Sequence, residues 1–397
     1  MNLFIIPSWY PSQAQPIGGI FTKEQAEAIA EFCPDIRVMV STWGHCDGEL
    51  SIRSPLQAIK VLKWRLQQRN DQVRKHHAVC EIFNPVLSWS HRLPFGGVKR
   101  LRDVNRRNLR LAIERFGKID IIHAHVSYPA GYVASILSRE FGLPYVLTEH
   151  MSPFPFPSLM RDGELMPEIK QAFAHAYESI AVSPSLGHRM AALGLKAPIV
   201  IPNVVDERRF RLGGPPPSDK FVFFTLCGLT DQKGIDHLLE AIALWNPPAD
   251  HFEFRIGGDG TMREAYQAMA QRLGVSDRVR WLGAVSREDA PRLFRECHIY
   301  VMPSRHETFG VVYAEAIASG KPIIATRCGG PESIVNETNG RLVEIGDVKG
   351  LSAAMQQMAA QWDQFSPVAI HQDFDRRFSR SAVVAQLRTL YERVIGS

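Results

Sequence analysis

Two carboxylates, Glu307 and Glu315, stand with seven residues between them in the run PSRHETFGVVYAEAIASGKPIIATRCGGPE, from Pro303 to Glu332. Glu315 falls inside Val311 to Ala318, a segment small and apolar enough to be a helix pressed on a sheet, and no basic residue lies three or four positions away. A carboxylate there needs a partner. Glu307 lies in a polar turn that follows the apolar strand His298 to Met302. A helix starting near Thr308 would turn the N–H groups of Thr308, Phe309, Gly310 and Val311 outward as an anion site. Glu307 would flank that site, and Glu315 would lie about 12 Å further along the axis. After Gly320-Lys321-Pro322 comes a second apolar strand, Pro322 to Thr326, and then Cys328-Gly329-Gly330-Pro331-Glu332 makes a tight turn with Pro331 fitted to the start of another helix. Two helix N-termini at one crevice suit a phosphate-bearing ligand whose hydroxyls bind carboxylates. The bland alternative is a βαβ unit with a capped helix and one salt-bridged Glu.

A cation for such a ligand stands in the turn Gly228 to Gly234, where Lys233 precedes an apolar helical segment. Ile119 to His125 alternates at strand spacing, so His123 and His125 share a face. A strand-end His before a helix lies where open α/β sheets bind ligands. The next strand, Leu143 to Thr148, ends in Glu149-His150, polar groups expected to face the same side. Strand Leu3 to Ile6, a loop from Pro7 to Gly19 and helix Ile20 to Phe32 place Gly18 and Gly19 where backbone N–H groups approach phosphate, although the third glycine of GxGxxG is missing.

The order Glu307, Glu315, Gly-Lys-Pro, Gly-Gly-x-Glu resembles the signature of the retaining nucleotide-sugar glycosyltransferases of family 4. The pattern WYP...GGIF at Trp9 to Phe21 and the HxH at His123 to His125 resemble two further segments of that family. The resemblance implies an α/β protein of the GT-B fold, two doubly wound Rossmann-like domains facing a central cleft. It implies a catalytic set of His125, Glu307 and Lys233, with His125 near the reacting sugar, Glu307 on its hydroxyls and Lys233 on the leaving diphosphate. Donor binding would use Gly18, Gly19, Lys233, Glu307, Thr308, Phe309, Gly310 and Val311, with Glu315 on the ribose diol. Glu149, His150 and His123 would stand on the acceptor side. The family retains configuration without a metal, so no metal and no cofactor other than the nucleoside-diphosphate sugar is expected. Two departures stand out. The Arg that the family carries five positions before its Lys is Gly228 here, so either Lys233 and helix N-termini suffice or another cation such as Arg305 substitutes. The Asn-Gly-x-Asp turn reads Asn203-Val204-Val205-Asp206.

Positioning these groups takes two layered domains, and 397 residues with 45% apolar and 22% charged side chains supply them. Strand and helix alternate in both halves. The expected division is 1–203 for acceptor binding, a linker over 204–220 containing Gly213-Gly214-Pro215-Pro216-Pro217, 221–375 for the nucleotide sugar, and 376–397 as a terminal helix that the resemblance packs back on the first domain. Six scattered cysteines without a CxxC pair fit a reducing cytoplasm and no structural zinc. The first residues read as a strand rather than a signal peptide, and no apolar run approaches a membrane span. A formal charge of +5 confines basic function to local clusters. Two such clusters are expected on helices, Pro55 to His77, with Leu56, Ile59, Leu62 or Lys63, and Leu66 on one side, and Val98 to Phe116. They are solvated faces, or they draw the protein to an anionic membrane or a lipid-diphosphate acceptor. Nucleic acid is not expected, because no binding fold accompanies the charge.

The expected activity is therefore hexosyl transfer from a UDP- or GDP-sugar to a glycan or lipid-linked acceptor in cell-envelope, polysaccharide or lipopolysaccharide synthesis, in the cytoplasm or at the cytoplasmic face of a membrane. The alternatives are a nucleotide-sugar epimerase on the same fold and a silent binding module.

Overall fold

The computed structural model describes residues 1–50, 55–89, 97–214 and 216–396; Pro215 of the expected linker, parts of the region before and after Pro94, the side chain of Leu56 and Ser397 lie outside them. The chain forms two compact units. Unit 1 comprises Met1–Val182, Leu186–Val204 and Val383–Ser397, and unit 2 comprises Ser183–Ser185 and Val205–Ala382. Among the described residues no helix is long and apolar enough to cross a membrane.

Among the described residues the main sheet of unit 1 has eight strands: β1 (Asn2–Pro7), β2 (Arg37–Thr42), β3 (Gln72–His76), β4 (Val79–Phe83), β5 (Ile121–His125), β6 (Tyr145–Glu149), β7 (Glu178–Ala181) and β8 (Ile199–Val200). Their order across the sheet is β8-β7-β6-β5-β1-β2-β4-β3, parallel except for the outer pair β3 and β4. Strands buried on both faces must be apolar throughout, and Leu3 to Ile6 on β1 are fully buried. The chain leaves β1 in both directions across the sheet, toward β2 and toward β5, so the switch point where such sheets bind ligands lies between β1 and β5.

The helices of this unit are α1 (Ile20–Phe32), α2 (Pro55–Gln67), α3 (Val98–Phe116), α4 (Tyr132–Phe141), α5 (Pro167–Ala174) and most of α6 (Pro184–Ala192). The expected helix over Pro55 to His77 stops ten residues early. Gln72 to His76 is instead an edge strand, turned into β4 through His77 at φ 53°. Its Arg74 guanidinium lies 3.8 Å from the centre of the Phe83 ring. The helix expected from Pro129 has a widened first turn, Ser127–Gly131, and becomes regular at Tyr132.

Among the described residues unit 2 has six parallel strands, β9 (Phe221–Leu226), β10 (Phe252–Gly257), β11 (Val279–Gly283), β12 (Ile299–Met302), β13 (Ile323–Thr326) and β14 (Gly340–Val343), in the order β11-β10-β9-β12-β13-β14. This is the dinucleotide-fold order, with its switch point between β9 and β12. Helices α7 (Ile235–Trp245), α8 (Arg263–Arg272), α9 (Ala290–Arg295), α10 (Val311–Ala318), α11 (Val348–Ala360) and α12 (Pro367–Arg377) complete it. Much of the stretch expected as linker is packed here. Phe210 is fully buried and meets Phe294 edge-on at 5.7 Å, while Asp206 holds Arg208 at 2.9 Å.

The terminal helix, α13 (Arg380–Ile395), starts in unit 2 and runs into unit 1. Val383, Val384, Leu387, Leu390, Tyr391 and Val394 recur at helical spacing and join the core formed by β1, β2 and α1.

Candidate functional site

In unit 2 the loops after β9 and β12 flank the switch point and are tied together. The Arg305 N–H donates to the Gln232 carbonyl at 2.8 Å, and the Gln232 side chain donates to the His306 carbonyl at 2.8 Å. Gly234 sits at φ 64°, and a Cβ there would lie 2.0 Å from the Pro303 oxygen, so only glycine lets the two loops close up. This brings Lys233 and Glu307 together across 74 residues. The Lys233 ammonium donates to Glu307 Oε1 at 2.6 Å, and the Ser304 hydroxyl donates to the same oxygen at 2.9 Å. Burial pulls the Lys233 pKa down, but the adjacent Glu307 carboxylate outweighs it and leaves the pKa above its ordinary value. The ammonium therefore stays charged, and Lys233 keeps a fifth of its side chain open to solvent.

Helix α10 begins at Val311, three residues later than the sequence led us to expect, because Gly310 takes φ 85° and ends the loop. A Cβ at Gly310 would meet the Tyr313 ring at 2.5 Å. Thr308 and Phe309 belong to the packed turn before the helix. The Thr308 carbonyl accepts from the Ser183 hydroxyl at 2.5 Å, and Phe309 packs on Phe378. The loop after β13 is zipped to the same turn, with the Gly330 N–H donating to the Glu307 carbonyl at 2.7 Å. Pro331 stands at the start of a short 3-10 turn, Gly330–Ser333. Glu315, 2% exposed at its side chain, has found its partner in Arg287, which bonds Oε1 from the segment between β11 and α9. Arg287 also lies over the Phe210 ring at 5.3 Å.

Arg305 does not fill the place left by Gly228. Its guanidinium grips Asp236 at 2.9 and 2.5 Å and the Asp231 carbonyl at 2.7 Å, locking the start of α7. A Cβ at Gly228 would meet nothing within 4 Å, so the position opens onto free space.

In unit 1 the corresponding loops carry the histidines and the glycine turn. Gly19 adopts φ 67° with its α-carbon so close to Trp9 that a Cβ would fall 2.1 Å from the Trp9 oxygen; Gly18 precedes it under the Gln15 side chain. The Ser8 N–H donates to the His125 carbonyl at 3.0 Å and the Ser8 hydroxyl accepts from Ala130 N–H at 3.0 Å, binding the end of β1 to the turn after β5. His125 Nδ1 shares a proton with His150 Nε2 at 3.0 Å, while His125 Nε2 is buried without a hydrogen-bond partner. His150 stacks on Phe21 with ring centres 4.3 Å apart. Burial pushes His125 down to about 3, and burial with the neighbouring imidazole pushes His150 well below the ordinary histidine range.

His123 and Glu149 take inner, supporting places rather than open ones. His123 is fully buried between the Tyr391 hydroxyl on Nδ1 at 2.6 Å and the Thr148 hydroxyl on Nε2 at 2.7 Å, with its ring stacked 4.2 Å from His125. Glu149 is fully buried and accepts from the N–H groups of Ser127, His150 and Met151 at 2.8 to 3.0 Å, bracketing the turn that follows β6. Burial raises its pKa, and those amides oppose the rise. Arg287, Ser304 and Tyr391 complete the two clusters; Ser304 stands in the polar turn beside Glu307, and no local sequence pattern marks Arg287 or Tyr391.

The chain's relatives fit this geometry. Residues 206–366 match the family Glycosyl transferases group 1, and residues 66–209 match Glycosyltransferase Family 4. The lipopolysaccharide core biosynthesis glycosyltransferase LpsE of Rhizobium meliloti is 30% identical over 252 residues, covering 56% of this chain and 71% of that protein. Sucrose-phosphate synthase from Thermosynechococcus elongatus superposes with a TM-score of 0.73 at 20% identity, over 100% of this chain and 99% of that one. Anabaena HepE in complex with UDP gives 0.71 at 21% identity, over 99% and 100%. Two α/β units with parallel sheets and these neighbours make the fold GT-B. With switch-point loops that pair Lys233 with Glu307, family matches that together run from residue 66 to 366 and a relative at this level of identity, the chain belongs to the group 1 glycosyl transferases of glycosyltransferase family 4.

Proposed function

We propose that the protein transfers a hexosyl group, with retention of anomeric configuration and without a metal, from a UDP- or GDP-sugar to a glycan or lipid-linked acceptor in cell-envelope or polysaccharide synthesis, in the cytoplasm or at the cytoplasmic face of a membrane. The observation that carries this reading is the Lys233–Glu307 pair at the unit 2 switch point, next to the glycine-capped start of α10. Departure of a nucleoside diphosphate needs positive charge at its phosphates, and Lys233 is an ionised, partly open cation at the place where such sheets bind ligands. Glu307 keeps that ammonium charged while no phosphate is bound, then accepts hydroxyl protons of the donor sugar. Glu315, held through Oε1 by Arg287, binds the ribose diol. In unit 1, His125 is a neutral imidazole whose Nε2 has a hydrogen bond still to make, and it serves the reacting sugar. The acceptor class leans on LpsE, named for lipopolysaccharide core biosynthesis, and the donor class on HepE, described with UDP and with UDP-glucose.

The test is a thermal-shift panel of UDP, GDP, ADP and their sugars on wild type and on Glu315→Ala, followed by product analysis with the donor that stabilises most. One nucleoside diphosphate should raise the melting temperature, and the variant should lose that rise. A donor converted to its epimer with no acceptor present would replace transfer by epimerisation. A donor that binds and is never consumed would leave the silent module standing.

A further inference from the structure

His45 is held at two costs to the fold. It follows Gly44 in the turn after β2 at φ 43°, a left-handed backbone that residues other than glycine seldom adopt. Its side chain is buried, and among the described residues neither ring nitrogen has a hydrogen-bond partner. An unpartnered polar group in the interior lowers stability, and a phenyl ring would fill the same space without that loss. Burial also pushes the His45 pKa down to about 3, so the ring is a neutral imidazole with one N–H to donate and one nitrogen to accept. Such a group is fitted to a partner from outside the chain.

Two hollows of unit 1 share Tyr10 and His45 in their walls. The first, of about 450 Å³, takes in Ser8 at the end of β1 and Tyr128 in the turn after β5, so it reaches the switch point, and Trp9, Trp43 and Trp89 wall it. The Trp43 ring lies 4.1 Å from the His45 ring. Glu49 is its charged side chain among the described residues, and the pairing of Glu49 and Leu50 with Ser88 and Trp89 brings the third tryptophan alongside. The second hollow, of about 400 Å³, carries charges of both signs, Lys23 and Arg74 with Asp47 and Glu81. Thr42, also in its wall, has a buried hydroxyl with no partner among the described residues. Both volumes are those of ordinary ligand pockets, roughly 300–1,000 Å³. The loop from β1 to α1 is fixed beside them: the Tyr10 hydroxyl donates to Glu81 at 2.9 Å, and the Gln13 and Ala14 N–H groups donate to Asp47 at 3.1 and 2.7 Å. The walls are set before a ligand arrives.

We propose that His45 sets acceptor specificity: its two ring nitrogens bond hydroxyls of an uncharged glycan whose accepting sugar lies among Trp9, Trp43 and Trp89 and whose next sugar reaches Thr42 and Glu81. Aromatic walls cover the C–H face of a sugar ring, while a few placed polar groups read the hydroxyls at its edge. A phosphate entering the first hollow would meet the Glu49 carboxylate and gain no charge from a neutral imidazole, so an uncharged sugar is favoured there. A ring with one donor and one acceptor also rejects a sugar that lacks the matching hydroxyls, because both nitrogens then stay unpaired. The proposal rests on the transferase reading and narrows its acceptor to a neutral glycan end, whatever is attached further along. His123 and Glu149, as inner supports, leave that role open.

The experiment is saturation-transfer NMR on the full chain, with the stabilising nucleoside diphosphate present, using glucose, galactose, mannose, N-acetylglucosamine, lactose, maltose, cellobiose and glucose 6-phosphate as probes. At least one neutral disaccharide should bind more tightly than its monosaccharides and than glucose 6-phosphate. In His45→Phe that binding should weaken by about tenfold for each hydrogen bond lost, while the melting temperature holds or rises and the nucleotide shift is unchanged. Thr42→Val removes the other unpartnered group with little change of shape, and should erase the advantage of the disaccharide over the monosaccharide. A merely structural His45 gives the reverse, a lower melting temperature with sugar binding intact in Thr42→Val and in any folded His45→Phe, and overturns the proposal. Tighter binding of glucose 6-phosphate than of every neutral sugar overturns it, and loss of the nucleotide shift in His45→Phe assigns the hollow to the donor and does the same. A wild type that shows the nucleotide shift and binds no neutral sugar sinks this proposal alone; one that shows no nucleotide shift sinks the transferase reading with it.

Discussion

At the carboxyl end of the unit 1 sheet, burial strips His123, His125 and His150 of charge, whereas at the same end of the unit 2 sheet burial is offset by opposite charge in the Lys233–Glu307 and Arg287–Glu315 pairs. Each cluster has members at strands that flank a topological switch point, His125 at the end of β5 and Lys233 and Glu307 after β9 and β12, so the folds are alike and the electrostatics are not. A neutral hydrogen-bonded stack fixes geometry and keeps it through the loss or arrival of a ligand. A buried ion pair holds each partner in its charged form, ready for a ligand charge or hydroxyl to take one partner's place. The first arrangement suits a group that must be held still, the second a group that must change partners.

The sharpest way to break this contrast is Arg287→Ala. It leaves Glu315 buried beside no cation, and the expected loss is about 3–5 kcal/mol of stability in urea unfolding. Arg287→Met combined with Glu315→Leu should recover most of it; a single variant costing under about 1 kcal/mol would mean that the pair behaves as a surface salt bridge and the contrast fails. Next in size is Lys233→Ala, for which kcat/KM with the best donor should fall by about 10²–10³, with chelator leaving wild-type turnover unchanged. An equal loss on adding EDTA would put a metal where we place the ammonium.

Acid should separate the two clusters more gently. An imidazole whose native pKa is depressed contributes stability that is fully present above its unfolded value near 6.5 and lost as pH falls toward the native one. For His125 that window runs from about 6.5 down to about 3. Each buried neutral ring should cost about 1.4 kcal/mol per pH unit below about 6.5. Glu149, whose native pKa is raised, works in the opposite sense, so the measurement compares wild type with His125→Asn, which should flatten the slope between pH 6.5 and 5. A parallel pair of curves would show that His125 is already charged. The smallest effect is expected for Tyr391→Phe, which removes the hydroxyl on His123 Nδ1 and should cost about 1 kcal/mol. A drop in turnover well beyond that figure, at unchanged KM for the donor, would show that the stack's geometry reaches the reacting groups.

Much of this architecture is legible in the sequence because parallel strands buried on both faces must be nearly all apolar, as in Leu3 to Ile6 and Ile299 to Met302. The edge strand Gln72 to His76 was not, since its polar residues face solvent and read as the continuation of a basic helix. The start of α10 was misplaced because Gly310 takes a left-handed conformation that a glycine's presence permits without announcing. Among the site residues, the need of Glu315 for a partner was visible, and the partner was not. Arg287 lies 28 residues upstream, and Tyr391 lies 268 residues from His123. Pairings of that range are made by topology, and local spacing carries no trace of them.

Because α13 contributes Val383, Leu387, Leu390 and Tyr391 to the core of unit 1, that unit is discontinuous along the polypeptide. A ribosome makes the whole of unit 2 before it makes the residues that close the first core. Until then the nascent chain carries an open apolar seam along β1, β2 and α1, and His123 lacks the Tyr391 hydroxyl on its Nδ1. The unit synthesised first is thus the one finished last, and a nascent chain stopped short of residue 383 would present to chaperones a unit whose seam nothing in the earlier residues can close.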